Sequence, residues 1–443
     1  MAQSRSARGT YSFARALQVN HSASSTRFPS LVCLVTPSRQ RYSDTDHDGP
    51  RSPIPWTHSD GIRLALERGS LSQRPRETTL MQTVRTALIG CGKVGQIHAA
   101  ALSSLPESDF VAVCDSDLAR ASVFSERHGT RAYADLGTML DDARPQAVCV
   151  CTPHPLHAAA VIQAAEARVH ALVEKPLAAN LADCDAMLAA SRRARTRLGV
   201  VSQRRFYEAV RRMKTALDAG KIGTPVLGVF SMFSWRDRAY YESDPWRGKW
   251  ATEGGGVLVN QSPHQLDLLR WFMGEIEEVS GYWANLNHPY IEVEDTALAM
   301  IRFRNGGLGS IVTSLSQRPG IFTKVHVHGS TGASVGVETD RGATFVAGMS
   351  SVTEPPLNDL WTIPGEEHLL AAFQAEDRAR FGQVNTTTHY HALQIQDFLR
   401  AVLDGRPPLV TGEDGRAVVE MFTAIYRSNC ERRPIRFPLD AEG

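Results

Sequence analysis

Through residues 84–202, short apolar runs alternate with stretches whose apolar residues recur every three or four positions. The runs have the length of buried strands, and the wider spacing marks one face of a helix. The pattern predicts strands at 84–89, 110–114, 147–151, 170–173 and 198–202, a short segment at 131–133, and helices at 96–105, 118–128 and 136–142. Strand and helix in alternation predict a parallel, doubly wound sheet. After a helix at 208–219 the period shortens, and runs at 226–235, 277–283, 296–303, 308–314, 324–329 and 333–338 read as strands of a second sheet. Arg304-Asn305-Gly306-Gly307 and Gly329-Ser330-Thr331-Gly332 are turn-forming and suggest antiparallel neighbours. Residues 348–383 carry little pattern and read as an insertion or loop. Helices at 390–403 and 415–427 should pack beside the second sheet or back on the first.

Residues 1–80 lack this order. They are rich in Ser, Arg, Thr and Pro and are expected to be disordered. Arg5, Arg8, Arg15, Arg27, Arg39 and Arg41 all precede the first acidic residue, Asp44, as in an organellar transit peptide. Met81, just before the first strand, supports the other reading, upstream sequence translated from a misassigned start.

At 443 residues, with 42% hydrophobic and 21% charged, the chain suits two globular domains, placed at 81–204 and 205–443. Forty-eight Lys and Arg against 47 Asp and Glu leave a net charge of +1, so no broad basic field recruits nucleic acid or an anionic membrane. No apolar run approaches the ~18 residues of a membrane span. Seven scattered cysteines (Cys33, Cys91, Cys114, Cys149, Cys151, Cys184 and Cys430) argue against a disulfide framework and for reduced thiols in a cytoplasmic protein.

The first strand runs into Gly90-Cys91-Gly92-Lys93-Val94-Gly95 and then a helix. Gly90 permits the tight turn, Gly92 lets the backbone approach a pyrophosphate, and Gly95 lets helix and strand pack closely, with Lys93 and Val94 between them at the helix start. The next strand ends in Asp115, about 20 residues after the glycines, where a carboxylate can accept from the ribose hydroxyls of NAD. The same carboxylate would repel the 2′-phosphate of NADP, and Arg120, on the following helix, is not expected to reach that phosphate, so NAD is preferred. The alternative is a plain turn, with Asp115 capping a helix. Strand, turn, helix, strand and acid in that order favour an NAD-binding Rossmann domain.

Two more strand ends carry polar residues on the side where such sheets bind ligands. Thr152-Pro153 is read as a cofactor contact, and His154 and His157 after it as packing or capping residues rather than a metal pair; no metal site is assigned. The strand at 170–173 runs into Glu174-Lys175-Pro176. Together with Gly254-Gly255-Gly256 and His264-Gln265-Leu266-Asp267, these motifs stand in the order of the Gfo/Idh/MocA oxidoreductases, which the chain resembles from 84 to 439. The resemblance implies an α/β protein: an N-terminal Rossmann doubly wound parallel sheet, then a C-terminal α+β domain with a large, mostly antiparallel sheet. One face of that sheet would cover the active site, and the other would join copies into a homodimer or homotetramer. It also implies Glu174 and Lys175 beside the cofactor and a small-molecule sugar or cyclitol as substrate.

Oxidising a secondary alcohol sends a hydride to the nicotinamide and needs a base for the hydroxyl proton. Lys175 at a strand end can donate to the reacting oxygen, and His264 titrates near working pH; the alternatives are a surface lysine and a packed histidine. Relatives commonly carry aspartate four residues before the histidine, where this chain has Asn260, an amide that can orient a hydroxyl but not take its proton. The proton is therefore expected to go to His264. Asp267, one turn on, is read as a substrate-side residue that orients the imidazole, or as a structural salt bridge. Trp246, Arg247 and Lys249, in an aromatic and basic stretch, are read as sugar contacts or as interface residues. The expected activity is hydride transfer between NAD and a secondary hydroxyl, or the corresponding ketone, of a sugar or cyclitol. A redox-neutral enzyme retaining its NAD and an inactive nucleotide-binding regulator are the alternatives.

Overall fold

In the computed structural model, residues 82–340, 344–346, 349–351 and 354–439 are described; the extension expected over 1–80 lies outside them. The first half alternates as the apolar runs require: β1 (Val84–Ile89), α1 (Lys93–Ser104), β2 (Ser108–Cys114), α2 (Leu118–His128), β3 (Arg131–Tyr133), α3 (Leu136–Ala143), β4 (Ala147–Val150), α4 (His157–Glu166), β5 (His170–Val173), α5 (Leu181–Ala194) and β6 (Leu198–Val200). Every residue of β4 and β6 is buried, as expected of strands covered by helices on both faces. Short polar side chains start the helices: Asp117 accepts from Ala119 and Arg120 N–H, Asp135 from Thr138, and Asn180 from Asp183. The strands lie in the order β3-β2-β1-β4-β5-β6, all parallel. Strand order reverses between β1 and β4, which opens a crevice at their carboxyl ends.

The second half contains α6 (Glu208–Asp218), β7 (Pro225–Phe233), α7 (Arg238–Glu242), α8 (Trp250–Glu253), α9 (Pro263–Met273), β8 (Ile276–Ala284), β9 (Thr296–Phe303), β10 (Leu308–Ser314), β11 (Phe322–Gly329), β12 (Ser334–Glu338), β13 (Thr344–Val346), β14 (Met349–Ser351), β15 (Leu357–Trp361), α10 (Leu369–Phe381), α11 (His389–Leu403), α12 (Gly412–Glu431) and β16 (Ile435–Arg436). Eight strands form the sheet β15-β12-β11-β7-β10-β9-β8-β16, antiparallel except for β7 beside β10. Strict alternation of buried residues along β9 and β11 turns one face toward α9 and α12. The β13–β14 hairpin stands apart from this sheet.

The stretch from 348 to 383 is not a plain loop: it supplies β14, β15 and α10. Its apolar contrast is weak because polar contacts hold it. Asp377 is the one buried residue of α10, where it meets Arg212 at 2.9 Å, and Arg212 also donates to buried Asn358 of β15 at 2.7 Å. Trp361 packs edge-on against Phe373.

The last helices do both things that the sequence left open. Helix α11 lies on α1, whereas α12 touches β8, α9, α5 and β6 and so ties the two sheets together. A methyl group on Gly415 would sit 2.9 Å from Val200, which shows how closely α12 approaches the first sheet. Among the described residues no helix is long and apolar enough to cross a membrane.

Candidate active site

The glycine turn is shaped by its neighbours. Gly90 has φ +97°, and a Cβ there would meet the Cys151 carbonyl at 2.7 Å, so only glycine fits between β1 and the end of β4. A Cβ on Gly95 would lie 2.3 Å from the Gly90 carbonyl oxygen, so α1 packs directly on the turn. At Gly92, by contrast, no protein atom stands within 4 Å of that position, and no side chain caps the start of α1. Open space in front of free helix N–H groups is what a pyrophosphate needs.

Asp115 stands at the end of β2. Its carboxylate accepts from Cys91 N at 2.8 Å and Asp117 N at 2.9 Å, which fastens it to the glycine turn. Arg120 meets the Asp115 carboxylate at 3.4 Å, because α2 brings the guanidinium back over the strand end while Asp117 holds its other branch. At the end of β4 the Thr152 hydroxyl is buried without a partner, an orphan that a bound group would satisfy. Pro153 leads into a short turn. The His157 ring bridges the Thr152 carbonyl at 2.9 Å and the Pro176 and Leu177 carbonyls at 3.1 Å, so it pins two strand-end loops together. Lys93 crosses from the glycine turn to Asp244 at 3.3 Å, and Val94 lines the cleft between the sheets.

Glu174 and Lys175 follow β5. Glu174 accepts from the Lys175 main chain at 3.1 Å and contacts His98 Nε2 at 2.8 Å. Burial raises the Glu174 proton affinity, but the hydrogen bond and charge of His98 outweigh it and hold the carboxyl near 2, so it is an anion. Burial pushes the Lys175 ammonium down to about 8, with Glu174 opposing the shift. Its Nζ donates across the cleft to the main-chain carbonyl of Asn260 at 2.7 Å and to the amide oxygen of the same residue at 3.4 Å.

Asn260 sits in one π-helical turn, Val257–Gln261, closed by Ser262 N donating to Val257 O at 2.9 Å. Buried Glu294 holds the start of that turn, accepting from Gly256 N at 2.8 Å and Leu258 N at 3.0 Å. Four residues after Asn260, His264 lies in the first turn of α9, buried, with Nδ1 unpartnered among the described residues. Burial and then Arg204, Lys175 and His391 push its proton affinity well below the ordinary histidine value, so the ring is neutral near pH 7.

Asp267 does not face this site. Its carboxylate accepts from Arg205 Nε at 2.8 Å and Nη2 at 2.5 Å and from the Ser202 hydroxyl at 2.5 Å, a buried ion pair between α9 and the segment after β6. It therefore neither orients His264 nor meets substrate. Trp246 also turns away from the cleft: its ring packs edge-on against His154 at 5.4 Å, and the Arg247 guanidinium covers it at 4.5 Å. Lys249 is exposed in a separate surface hollow beside Tyr290 and Glu292. Of the three, Arg247 lines the cleft, where it donates to Tyr240 Oη at 2.5 Å.

The cleft opens to solvent between the carboxyl end of the first sheet, at Glu174 and Lys175, and the ends of β7 and β11 in the second, at Phe233 and Phe322. Several of its residues were not singled out from the sequence. Tyr240 accepts from Asn260, Gln261 and Arg247, and His391 comes from α11, far along the chain. Arg204 follows the last strand of the first sheet and pairs with Asp340 at 2.7 Å; its strand-end position was the signal that could have found it.

Two family models cover most of this architecture: "Oxidoreductase family, NAD-binding Rossmann fold" matches residues 84–202, and "GFO/IDH/MocA C-terminal domain" matches 210–335. The chain is 30% identical over 359 residues to a myo-inositol 2-dehydrogenase of Thermotoga maritima, covering 80% of this chain and 98% of that one. It is 28% identical over 370 residues to the NAD(+)-dependent scyllo-inositol 2-dehydrogenase of Bacillus subtilis, covering 81% and 97%. Among solved structures, the WlbA dehydrogenase of Bordetella pertussis, in complex with NADH and UDP-GlcNAcA, superposes with a TM-score of 0.71 at 28% identity over 81% of this chain and 99% of that one.

Proposed function

The chain belongs to the GFO/IDH/MocA family of NAD-binding oxidoreductases, and from that premise we propose that it moves a hydride between NAD and a secondary hydroxyl of a sugar or cyclitol. One observation carries the reading: Lys175, at a strand end beside the glycine turn, meets Asn260 across the cleft at 2.7 Å, with the His264 imidazole on the same wall. The open Gly92 face, the bare start of α1 and the orphan Thr152 hydroxyl fit NAD, with Asp115 for the ribose and Glu174 and Lys175 at the nicotinamide end. When bound, NAD supplies the hydride acceptor.

The burial of the two groups favours a different proton acceptor from the one the sequence suggested. A histidine held neutral far below its ordinary range is a poor base, whereas an ammonium lowered to about 8 is matched to neutral or mildly alkaline working conditions. We therefore assign the hydroxyl proton to Lys175 Nζ, with neutral His264 hydrogen-bonding the same substrate oxygen. Incubation with NAD and a panel of pyranoses and inositols, followed by absorbance of reduced nicotinamide, tests the substrate class; a flat trace with every member would sink it. Alcohol oxidation needs Lys175 neutral, so kcat/KM should climb as pH rises through about 8, and ketone reduction, which needs the ammonium, should fall over the same interval. A profile flat from pH 6 to 10 would remove Lys175 from the role.

The sheet face turned from α9 and α12 exposes Tyr282, Leu298, Met300 and Leu308. Tyr282 and Met300 are 71% and 68% exposed, a patch too apolar for a lone sheet face, and a second copy of the chain is the occupant we infer. Light scattering should give at least a dimer, with Met300→Glu shifting it toward monomer; a monomeric wild-type protein would end the inference. All six described cysteines are free, which suits the reducing cytoplasm.

A further inference from the structure

Glu253, the last residue of α8, is a carboxylate 1% exposed that the reaction above does not use. One of its oxygens accepts from Gly248 N at 2.5 Å, and the other accepts from the side-chain amide of Asn260. A carboxylate only accepts, so the end of the amide that meets it must be the nitrogen. The second contact of that nitrogen, with Tyr240 Oη at 3.0 Å, fits the same orientation. The amide oxygen is then turned toward Lys175 Nζ, beside the main-chain carbonyl that Lys175 already contacts. Flipped, the amide would point N–H groups at the ammonium and repel it.

We propose that Glu253 is a positioning residue: by fixing which end of the Asn260 amide faces Lys175, it gives the lysine a second oxygen acceptor and sets how readily that lysine gives up its proton. This rests on the reading of Lys175 as the group that handles the substrate proton. Two effects act in one direction, because the oriented oxygen and the nearby negative charge both favour the ammonium. The other charges around Lys175 are Glu174, which also favours the ammonium, and Arg204 and Arg247, which oppose it. His154, His264 and His391 surround it as rings whose proton affinity is lowered, first by burial. Burial raises the proton affinity of Glu253 itself, opposed by its hydrogen bonds from Gly248 N and the Asn260 amide and by the charges of Arg247 and Lys175.

The test is Glu253→Gln in the full chain, since glutamine can offer its oxygen or its nitrogen to Asn260 and no longer imposes the orientation. Competitive labelling of Lys175 with acetic anhydride across a pH series, read by peptide mass spectrometry, follows its titration without NAD or substrate. The midpoint should fall by about half a pH unit, seen as roughly threefold faster labelling near pH 7, and the rising limb of kcat/KM should move to lower pH with it. An unmoved midpoint in a folded variant overturns the proposal. Should the variant not fold, Asn260→Leu removes the oriented oxygen while leaving the Glu253 charge on Gly248, and it must also lower the midpoint, by less; an unmoved midpoint there overturns the proposal equally. Because labelling needs no turnover, a silent sugar panel would count against the proposed activity alone, and an unmoved midpoint in an active enzyme against Glu253 alone.

Discussion

Lys175→Met lowers turnover by about 10²- to 10⁴-fold while NAD affinity stays nearly intact, the loss expected for a positioned acid-base group. Methionine keeps the length and apolar stem of the side chain but can neither take the hydroxyl proton nor donate to the Asn260 carbonyl 2.7 Å away. The glycine turn, Thr152 and Asp115 are left in place, so cofactor binding has no reason to fail. His264→Ala should also slow the enzyme, because the imidazole lines the same cleft as Lys175 and can hydrogen-bond the substrate oxygen. Lys175→Met and His264→Ala together should cost far less than the product of the two single effects, since both act on one oxygen. Single-turnover rates on whichever sugar or cyclitol proves active provide the measurement. Near-normal turnover of Lys175→Met would move the base elsewhere, and His264 would return as the leading acceptor.

Asp267→Ala should destabilise the fold by about 3 kcal/mol, toward the lower end of what breaking a buried ion pair costs. The side chain of Arg205 is 2% exposed, so its charge cannot turn to water once Asp267 is gone. Asp414 at 3.3 Å and the Leu409 carbonyl at 3.1 Å remain, which keeps the loss from being larger. The Arg205 guanidinium also lies 4.8 Å over the Trp271 ring, so its apolar surroundings are well packed. Replacing both partners, Arg205→Met with Asp267→Leu, should recover much of the loss because no lone charge is left buried. Urea denaturation followed by circular dichroism reads both variants. A change below about 1 kcal/mol for Asp267→Ala would mean that the pair is solvated rather than buried.

What the chain determines locally was legible. The period of apolar residues is set by backbone geometry within a few residues, so β1 to β6 and the helices α1, α2 and α3 follow from it, and so do the antiparallel turns at 304–307 and 329–332. The glycine turn is local as well, because φ +97° at Gly90 and the packing of Gly95 on its neighbour are properties of six consecutive residues. The positions of Lys175 and Thr152 at strand ends, on the ligand side of the sheet, needed only the order of strands.

Partnership across the chain was not legible. Asp267 and His264 are one helical turn apart, but the carboxylate goes to Arg205 because β6 leads that arginine against α9, which spacing within a helix does not reveal. Trp246, Arg247 and Lys249 are near neighbours in sequence, yet only Arg247 faces the cleft, since short α7 and α8 turn the chain too sharply for composition to resolve. Helix α10 and β15 escaped because an ion pair and a buried amide hold them in place of an apolar stripe. Sequence could name Lys175, Asn260 and His264 as separate candidates. Only the packing of the two sheets around α12 brings residues 85 positions apart to 2.7 Å, and only the burial that results lowers the proton affinities of Lys175 and His264 to different extents, on which the proposal of the lysine as base rests.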